Sequence, residues 1–418
     1  MGWVTAEAPR PAELSACVDC GLCLPHCPTY RLTGDETASP RGRIAAMRAV
    51  AGDLVPIDDA FEDMMSFCLQ CRACEAACPS LVPFGRAMEG ARAELTAQRP
   101  DPVRRTRHAL LGRLVSTPVL LRLATRAVGL ARRSGALRIV PSALRSSLAG
   151  MRDVPSTPPT IRGAVHLAQG EERGTAALLA GCVMDPWFGG VHEATIELLK
   201  RAGYRVVVPT TQTCCGALAA HDGDTRRARR LAVRNVRALQ AVDLVISNAA
   251  GCSAHLKEYA EWAGDGGAIL ADRARDVTEV VAAAIADGRL PKLSMNRGAV
   301  AVQDPCHLRH AQRIVDAPRV IVAAAGYQPV DLTDDQCCGA AGLYSMLFPE
   351  TSNELGENKA AQIRVTGSTV VASANPGCEM QVRAHLENWY SVAHPVELYW
   401  DAVRENETLG PGTDSRGE

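Results

Sequence analysis

Two kinds of hydrophobic spacing divide the chain. Up to about residue 100 the apolar positions recur every three or four residues, over Arg41–Gly52 and Asp58–Phe67. That period predicts helices with one buried stripe, and strand signals are few, so a mainly α-helical unit is expected over 1–100. Residues 103–152 keep a helical period, with stripes at Leu110, Leu111 and Leu114 and at Leu120, Leu121 and Leu123. Breaks are expected near Pro118 and Pro141, where the ring removes a backbone donor. From residue 174 the pattern changes to short apolar runs between longer helical stretches. Strands are expected at Ala176–Ala180, Arg205–Val208, Leu244–Ser247, Ala299–Gln303, Gln328–Leu332 and Val370–Ser373. Helices are expected over 191–202, 224–240 and 353–365, and the alternation predicts parallel α/β units.

The second part of the chain repeats itself at an offset of about 124 residues. Cys182 corresponds to Cys306, the Cys214-Cys215-Gly216 triplet to Cys337-Cys338-Gly339, and Cys252 to Cys378. The expected fold is therefore multidomain: a helical unit at 1–100, a basic helical linker at 101–160, and two pseudo-symmetric α/β halves at 174–295 and 296–405. Ser156–Pro159 reads as the linker into the α/β part.

Composition narrows the function classes. A length of 418 residues and 47% hydrophobic content suit a soluble multidomain protein. A formal net charge of -1 gives no general case for nucleic acid. The exception is local: residues 103–152 carry eleven arginines and no acidic residue. Such a segment suits an anionic membrane or an acidic partner, but the arginines spread around the helices, so a helix pair packed on its own protein is expected. Met1–Arg10 lacks a signal peptide's basic start and apolar core. No apolar run approaches a membrane span. The expected location is the cytoplasm, with at most peripheral contact at the inner face of the cell membrane.

All 16 cysteines fall within motifs. Cys17, Cys20, Cys23 and Cys27, followed by Pro28, form a C-x2-C-x2-C-x3-C-P run, and Cys68, Cys71, Cys74 and Cys78, followed by Pro79, repeat it. This is the spacing of two-cluster ferredoxins, in which the fourth cysteine of each run serves the other cluster. One [4Fe–4S] cluster is expected on Cys17, Cys20, Cys23 and Cys78, and the other on Cys68, Cys71, Cys74 and Cys27. Zinc favours separated CxxC pairs, and disulfides favour small secreted chains, so neither fits as well. The Arg41-Gly42-Arg43 turn is a candidate donor to a sulfide or a partner, beside its alternative as a solvated basic turn.

In the α/β halves every cysteine lies just beyond a strand's carboxyl end, where open α/β sheets present ligands. Cys182, Cys214, Cys215 and Cys252 can meet at one crevice, and Cys306, Cys337, Cys338 and Cys378 at another. Helix N-termini there would favour thiolate. A redox or metal role is expected for these eight, and Cys214, Cys215, Cys337 and Cys338 are the strongest candidate ligands for iron–sulfur beyond the first two clusters. No G-x-G-x-x-G, P-loop or G-x-S-x-G is found in its expected context, so nothing marks a nucleotide site or serine nucleophile.

The paired cysteine runs, the two copies of Cys…CCG…Cys, and the segments Cys27-Pro28-Thr29-Tyr30, Pro40-Arg41-Gly42-Arg43-Ile44 and Cys337-Cys338-Gly339-Ala340-Ala341-Gly342 resemble the iron–sulfur subunit of glycolate oxidase. Wider relatives are the iron–sulfur subunit of anaerobic glycerol-3-phosphate dehydrogenase and heterodisulfide reductase. The resemblance implies electron transfer from a partner subunit that binds FAD and oxidises a 2-hydroxy acid, with quinone as an acceptor. It also leaves open a thiol–disulfide reductase, a glycerol-3-phosphate or D-lactate enzyme, and a zinc-rigidified scaffold. One departure matters: the wider group's cysteine-rich domain often ends in CxxC, whereas here the endings are Cys252-Ser253-Ala254-His255 and Cys378-Glu379-Met380-Gln381. The missing thiolate argues against a double cluster. His255 is a candidate to replace the missing thiolate, and His307 and His310 beside Cys306 are candidates for a proton relay or a hydrogen bond to a cluster, but all three are expected by default to face solvent from helix surfaces.

Overall fold

In the computed structural model, which describes residues 2–134, 150–152 and 160–409, the first hundred residues fold as short helices around the cysteine runs. The Pro40–Ala51 helix starts at a proline, and the Ser39 hydroxyl caps it by accepting from the Gly42 N–H at 2.9 Å. Its buried face carries Ile44, Met47 and Val50, three residues apart. Asp58 caps the Asp59–Ser66 helix, accepting from Phe61 N–H at 2.9 Å. The Phe84–Gln98 helix closes this core with Ala87, Met88, Ala91 and Leu95. Met47, Met65 and Met88 are completely buried, each worth about 1.5–3 kcal/mol of transfer free energy.

The basic segment forms helices Pro102–Ser116 and Pro118–Arg133, broken at Pro118 as expected. The expected break at Pro141 and the Ser156–Pro159 linker lie outside the described residues. The leucine stripe is not the packed face: Leu121 is buried, whereas Leu110, Leu120 and Leu123 are exposed. Polar contacts dock the second helix instead. Thr125 Oγ1 accepts from Trp187 Nε1 at 2.8 Å, and Arg122 pairs with Asp185 at 3.1 Å.

Two sheets follow. The first contains β1 (Val165–His166), β2 (Gly174–Leu178), β3 (Tyr204–Val207), β4 (Leu244–Ser247) and β5 (Ala274–Asp276), in the order β1-β3-β2-β4-β5. The second contains β6 (Ala299–Gln303), β7 (Gln328–Asp331), β8 (Val370–Ser373) and β9 (Ser391–Ala393), in the order β7-β6-β8-β9. Setting β1 aside, the strand order is the same in both sheets, so the sequence repeat is a structural repeat. All pairings are parallel except that of β1 with β3. Strand β2 begins two residues before the expected run and ends two before it. Strands β1, β5 and β9 were not expected, because two or three residues carry too little pattern to read.

The halves are fused rather than tethered. After β4 and β8 the chain turns into helices Ala250–Lys257 and Pro376–His385. There Ala250 N–H donates to Ala374 O at 3.1 Å and Gly251 N–H to Asn375 Oδ1 at 3.2 Å. The last helix, Pro395–Leu409, buries Val396, Tyr399 and Val403 in one core with Val191, Leu198 and Leu199 of the first half. Arg152 adds a clamp: its guanidinium holds Glu379 and Glu397, each at 2.5–2.7 Å, and lies 4.7 Å over the Phe188 ring. Among the described residues, no helix is long and apolar enough to cross a membrane.

Candidate iron–sulfur sites

The two ferredoxin-type runs share one backbone design. Asp19 and Gly21 in the first run, and Gln70 and Arg72 at the matching positions of the second, all have left-handed φ values, between 54° and 81°. Alternating hand in this way turns successive amide N–H groups to one side and forms an anion-binding concavity. One such donor already points at a ligand atom: Gln70 N–H lies 3.3 Å from Cys68 Sγ. Left-handed Asp19, Gln70 and Arg72 carry a steric penalty that glycine avoids, one that an anionic group held in the loop would offset.

Cys27 and its three distant neighbours line a single cavity. Cys27, Cys68, Cys71 and Cys74 are all buried and share its wall with Arg43 and Phe84. Burial pushes the Cys71 and Cys74 thiols well up, with Cys306 adding to the effect at Cys71. Cys71 and Cys74 are therefore poor thiolates until a cation compensates them. Part of the compensation is in place. Arg43 is completely buried, with Nη1 4.0 Å from Cys27 Sγ, 2.7 Å from Ala38 O and 3.3 Å from Thr29 Oγ1. The solvated-turn reading thus fails for Arg43. Arg41 does stay at the surface, pairing with Glu36 at 2.7 Å. The other group is more open: Cys20 is exposed, while Cys17, Cys23 and Cys78 are half-buried against the same core. Burial still raises Cys23 to about 11.

In each α/β half four thiols form a string. All four are free thiols; Cys182 is hydrogen-bonded to Cys214, Cys214 to Cys215, and Cys215 to Cys252. In the second half Cys306 is hydrogen-bonded to Cys337, Cys337 to Cys338, and Cys338 to Cys378. Hydrogen bonds from these neighbours draw Cys214, Cys306 and Cys338 well below the usual thiol range. Among the described residues, no three cysteine, histidine or acidic side chains are grouped as ligands of a single ion. Polar side chains pin the first string: Asn235 Nδ2 donates to Cys214 O at 2.9 Å, and Tyr259 Oη to Cys215 O at 2.6 Å. Beside the second string stands the buried Lys359, whose Nζ donates to Asp334 O at 2.9 Å. Burial lowers its pKa, and the nearby Cys338 opposes the shift.

The three units meet at these sites. Cys71, Leu69 and Ala73 pack with Cys337, Tyr344 and Leu355, with Cys306 at the edge of the same cluster. Tyr344 Oη donates to Phe67 O at 3.3 Å, and the Phe67 and Phe348 rings meet edge to face at 5.4 Å. The helical unit reaches the first half through His221, whose carbonyl accepts from Gln70 Nε2 at 3.1 Å and Arg92 Nη1 at 2.7 Å. Its Nδ1 lies 2.8 Å from buried Glu89, and its ring stacks at 5.3 Å on His307. His307 in turn has Nδ1 4.0 Å from Cys306 Sγ.

The solvent-facing default does not hold for the histidines. His255 is 1% exposed and His310 8% exposed, while His307 is half-buried. They are buried by contacts distant in sequence or from the far side of a turn, His255 against Trp262 and Gly216, His307 against His221 and His310 against Asp335, which no local pattern carries. Glu89, His221 and Lys359 were also missed, since each is an ordinary helix residue until another unit packs on it.

The chemistry of the donor set fits iron–sulfur clusters: grouped buried thiols, an amide concavity, and buried cations. Residues 13–82 match the 4Fe-4S dicluster domain, and residues 176–257 and 300–383 each match the cysteine-rich domain. The chain is 35% identical over 401 residues to the probable glycolate oxidase iron-sulfur subunit of Bacillus subtilis (strain 168), covering 90% of this chain and 89% of that one. It is 30% identical over 406 residues to the glycolate oxidase iron-sulfur subunit of Escherichia coli (strain K12), covering 94% and 95%. Lactate utilization protein A of Oceanobacillus iheyensis is 28% identical over 218 residues, 50% of this chain and 88% of that protein.

Proposed function

Because the chain belongs to the family of glycolate oxidase iron–sulfur subunits, we propose that it takes electrons from a flavoprotein partner oxidising glycolate and passes them to quinone. At the coarser level it is the iron–sulfur electron-transfer subunit of a hydroxy-acid dehydrogenase, and so an oxidoreductase subunit. Glycolate as the substrate, FAD on the partner, quinone as the acceptor and the cytoplasmic face of the membrane as the location belong to the proposal.

The ligand assignment is part of the same proposal. Cys17, Cys20, Cys23 and Cys78 hold one [4Fe–4S] cluster, and Cys68, Cys71, Cys74 and Cys27 hold the other. Cys182, Cys214, Cys215 and Cys252 serve a further iron–sulfur centre in the first half, and Cys306, Cys337, Cys338 and Cys378 serve one in the second. When bound, such clusters store and release single electrons. The chain's own residues do the rest. The left-handed loops aim amides at the anionic core, and Arg43 places a buried positive charge against it. The Phe67, Tyr344 and Phe348 rings lock the second run against the second half while excluding water.

The observation that carries this reading is the single buried cluster that Cys71 shares with Cys337, with Cys306 at its edge. Two sites encoded more than 200 residues apart in the sequence become neighbours, as electron transfer between them requires. Nothing in the chain marks a flavin or nicotinamide site, and removing hydride from a hydroxy acid needs one. The chain purified alone under anaerobic conditions should therefore contain iron and no flavin. It should fail to reduce a dye with glycolate until the flavoprotein partner is added. Stoichiometric flavin in the isolated chain would overturn the division of labour.

A further inference from the structure

His255 sits one helical turn beyond Cys252, on the Ala250–Lys257 helix. It is 1% exposed, and neither Nδ1 nor Nε2 has a hydrogen-bond partner. An imidazole with both nitrogens unpaired in the interior is costly, about 1–3 kcal/mol for each unmet polar group. Its surroundings do not otherwise justify the residue. Tyr259 and Trp262 meet the ring at 5.5 Å, contacts that an apolar side chain would make without the polar cost. The other buried histidine of this half is satisfied: His192 has Nε2 3.2 Å from Ala180 O and Nδ1 3.0 Å from Asn248 Nδ2.

The ring is aimed at the cysteine string. His255 Nε2 lies 3.3 Å from where a Cβ on Gly216 would stand, directly after Cys214 and Cys215. Gly216 has φ +102°, so the turn is built for glycine, and that missing side chain leaves the nitrogen access to the cysteine loop. Cys214 is among the charged groups that act on the ring. The second half is built differently. A Cβ on Gly339 would instead strike Ser352 O at 2.6 Å, and Gln381, at the position matching His255, donates to Ser352 O at 2.9 Å. That amide is already occupied; the imidazole is not.

We propose that His255 Nε2 is a nitrogen ligand of the iron–sulfur centre held by Cys182, Cys214, Cys215 and Cys252, which makes the two cysteine-rich halves chemically unequal. The inference rests on the reading that the first half holds such a centre. A metal-bound imidazole usually donates its second N–H to a carboxylate, carbonyl or water, and Glu89 is the opposite charge acting most strongly on this ring. An imidazole is neutral where the last thiolate of a CxxC ending is negative, so the centre is less negative than its five-thiolate counterpart and has a higher potential, the direction in which histidine ligation acts in Rieske centres.

The test uses the full chain, anaerobically purified and labelled with 15N-histidine, read by pulsed electron paramagnetic resonance and iron analysis. A directly bound histidine nitrogen should appear in the coupling spectrum of a cysteine-rich centre. It should vanish in His255→Leu and in His255→Cys, and His255→Cys should keep the iron and lower that centre's potential. The two ferredoxin-type signals, unchanged, show that each variant is folded. Iron above the two-cluster content with no histidine coupling, or a coupling that survives both variants, would overturn the ligand proposal alone. Iron at the two-cluster content, or zinc in the first half, would overturn the underlying reading as well.

Discussion

His192 shows what a single buried titratable residue does to this fold. It has no exposed surface, and burial lowers its pKa to about 4, with Asp185 opposing the shift. In the unfolded chain the ring has a pKa of about 6.5. Above that value neither state binds the proton and the residue is neutral to stability. As pH falls below it, the unfolded chain gains a proton that the folded ring refuses until about 4. Stability is therefore lost on acidification, by about 2 kcal/mol between pH 7 and pH 5 from this residue alone. Urea midpoints of wild type and His192→Asn at the two pH values should show a smaller pH drop in the variant. His394, lowered to about 3 by burial, acts in the same direction and persists in both proteins. An equal drop would mean that His192 is protonated in the folded state.

At the scale of elements, the defining feature is the crossing of the two cysteine runs. Cys27 is followed by Pro28, which opens the Pro28–Thr33 helix and turns the thiol away from its own run. Thr29 Oγ1 stands 3.3 Å from Cys27 Sγ and donates to Ala38 O at 2.7 Å, so the next loop holds the thiol in place. Cys27→Ser should consequently remove the cluster of Cys68, Cys71 and Cys74 and spare that of Cys17, Cys20 and Cys23. Electron paramagnetic resonance of the reduced variant distinguishes the two, because the second site is buried beside Arg43 and the first is partly open to solvent. Loss of the exposed site's signal instead would refute the crossing. The spacing predicts that Cys27 joins Cys68, Cys71 and Cys74, and the structure brings the four to the wall of one cavity, the placement a crossed ligand set needs. Arg43 was legible only as a candidate, because whether a basic turn is solvated depends on what packs over it.

At the scale of the whole molecule, the two α/β halves share a core through the Pro395–Leu409 helix and share their strand-end loops at Ala250 and Ala374. The ferredoxin-type unit sits across the same end, touching the second half through Cys71 and the first through His221. The buried cysteines of the second run thus face the α/β halves, and the eight thiols of those halves without metal would be open to oxidation. Two [4Fe–4S] clusters account for about eight irons per chain. Anaerobic, fully reconstituted protein should exceed that content, and the excess should disappear when Cys214, Cys215, Cys337 and Cys338 are all changed to serine. An iron content of about eight in both proteins would assign these cysteines to thiol chemistry or partner contact instead.

The sequence by itself determined whatever depends on near neighbours along the chain. Helical and strand periods, the duplicated cysteine spacing and the repeated halves are of this kind, because periodicity and ligand spacing are properties of ten or twenty consecutive residues. Five of the six expected strands start where they were placed or within one residue of it, and the short edge strands escaped because pairing rather than pattern makes them strands. Only the tertiary structure decided which surfaces became interior. Nothing around Cys252 says that the Phe84–Gln98 helix will bring Glu89 towards His255, or that Arg43 will lie without exposed surface. Burial and electrostatic environment are set by residues tens to hundreds of positions away, so the chemistry of His255, Arg43 and Lys359 exists only once the three units have packed.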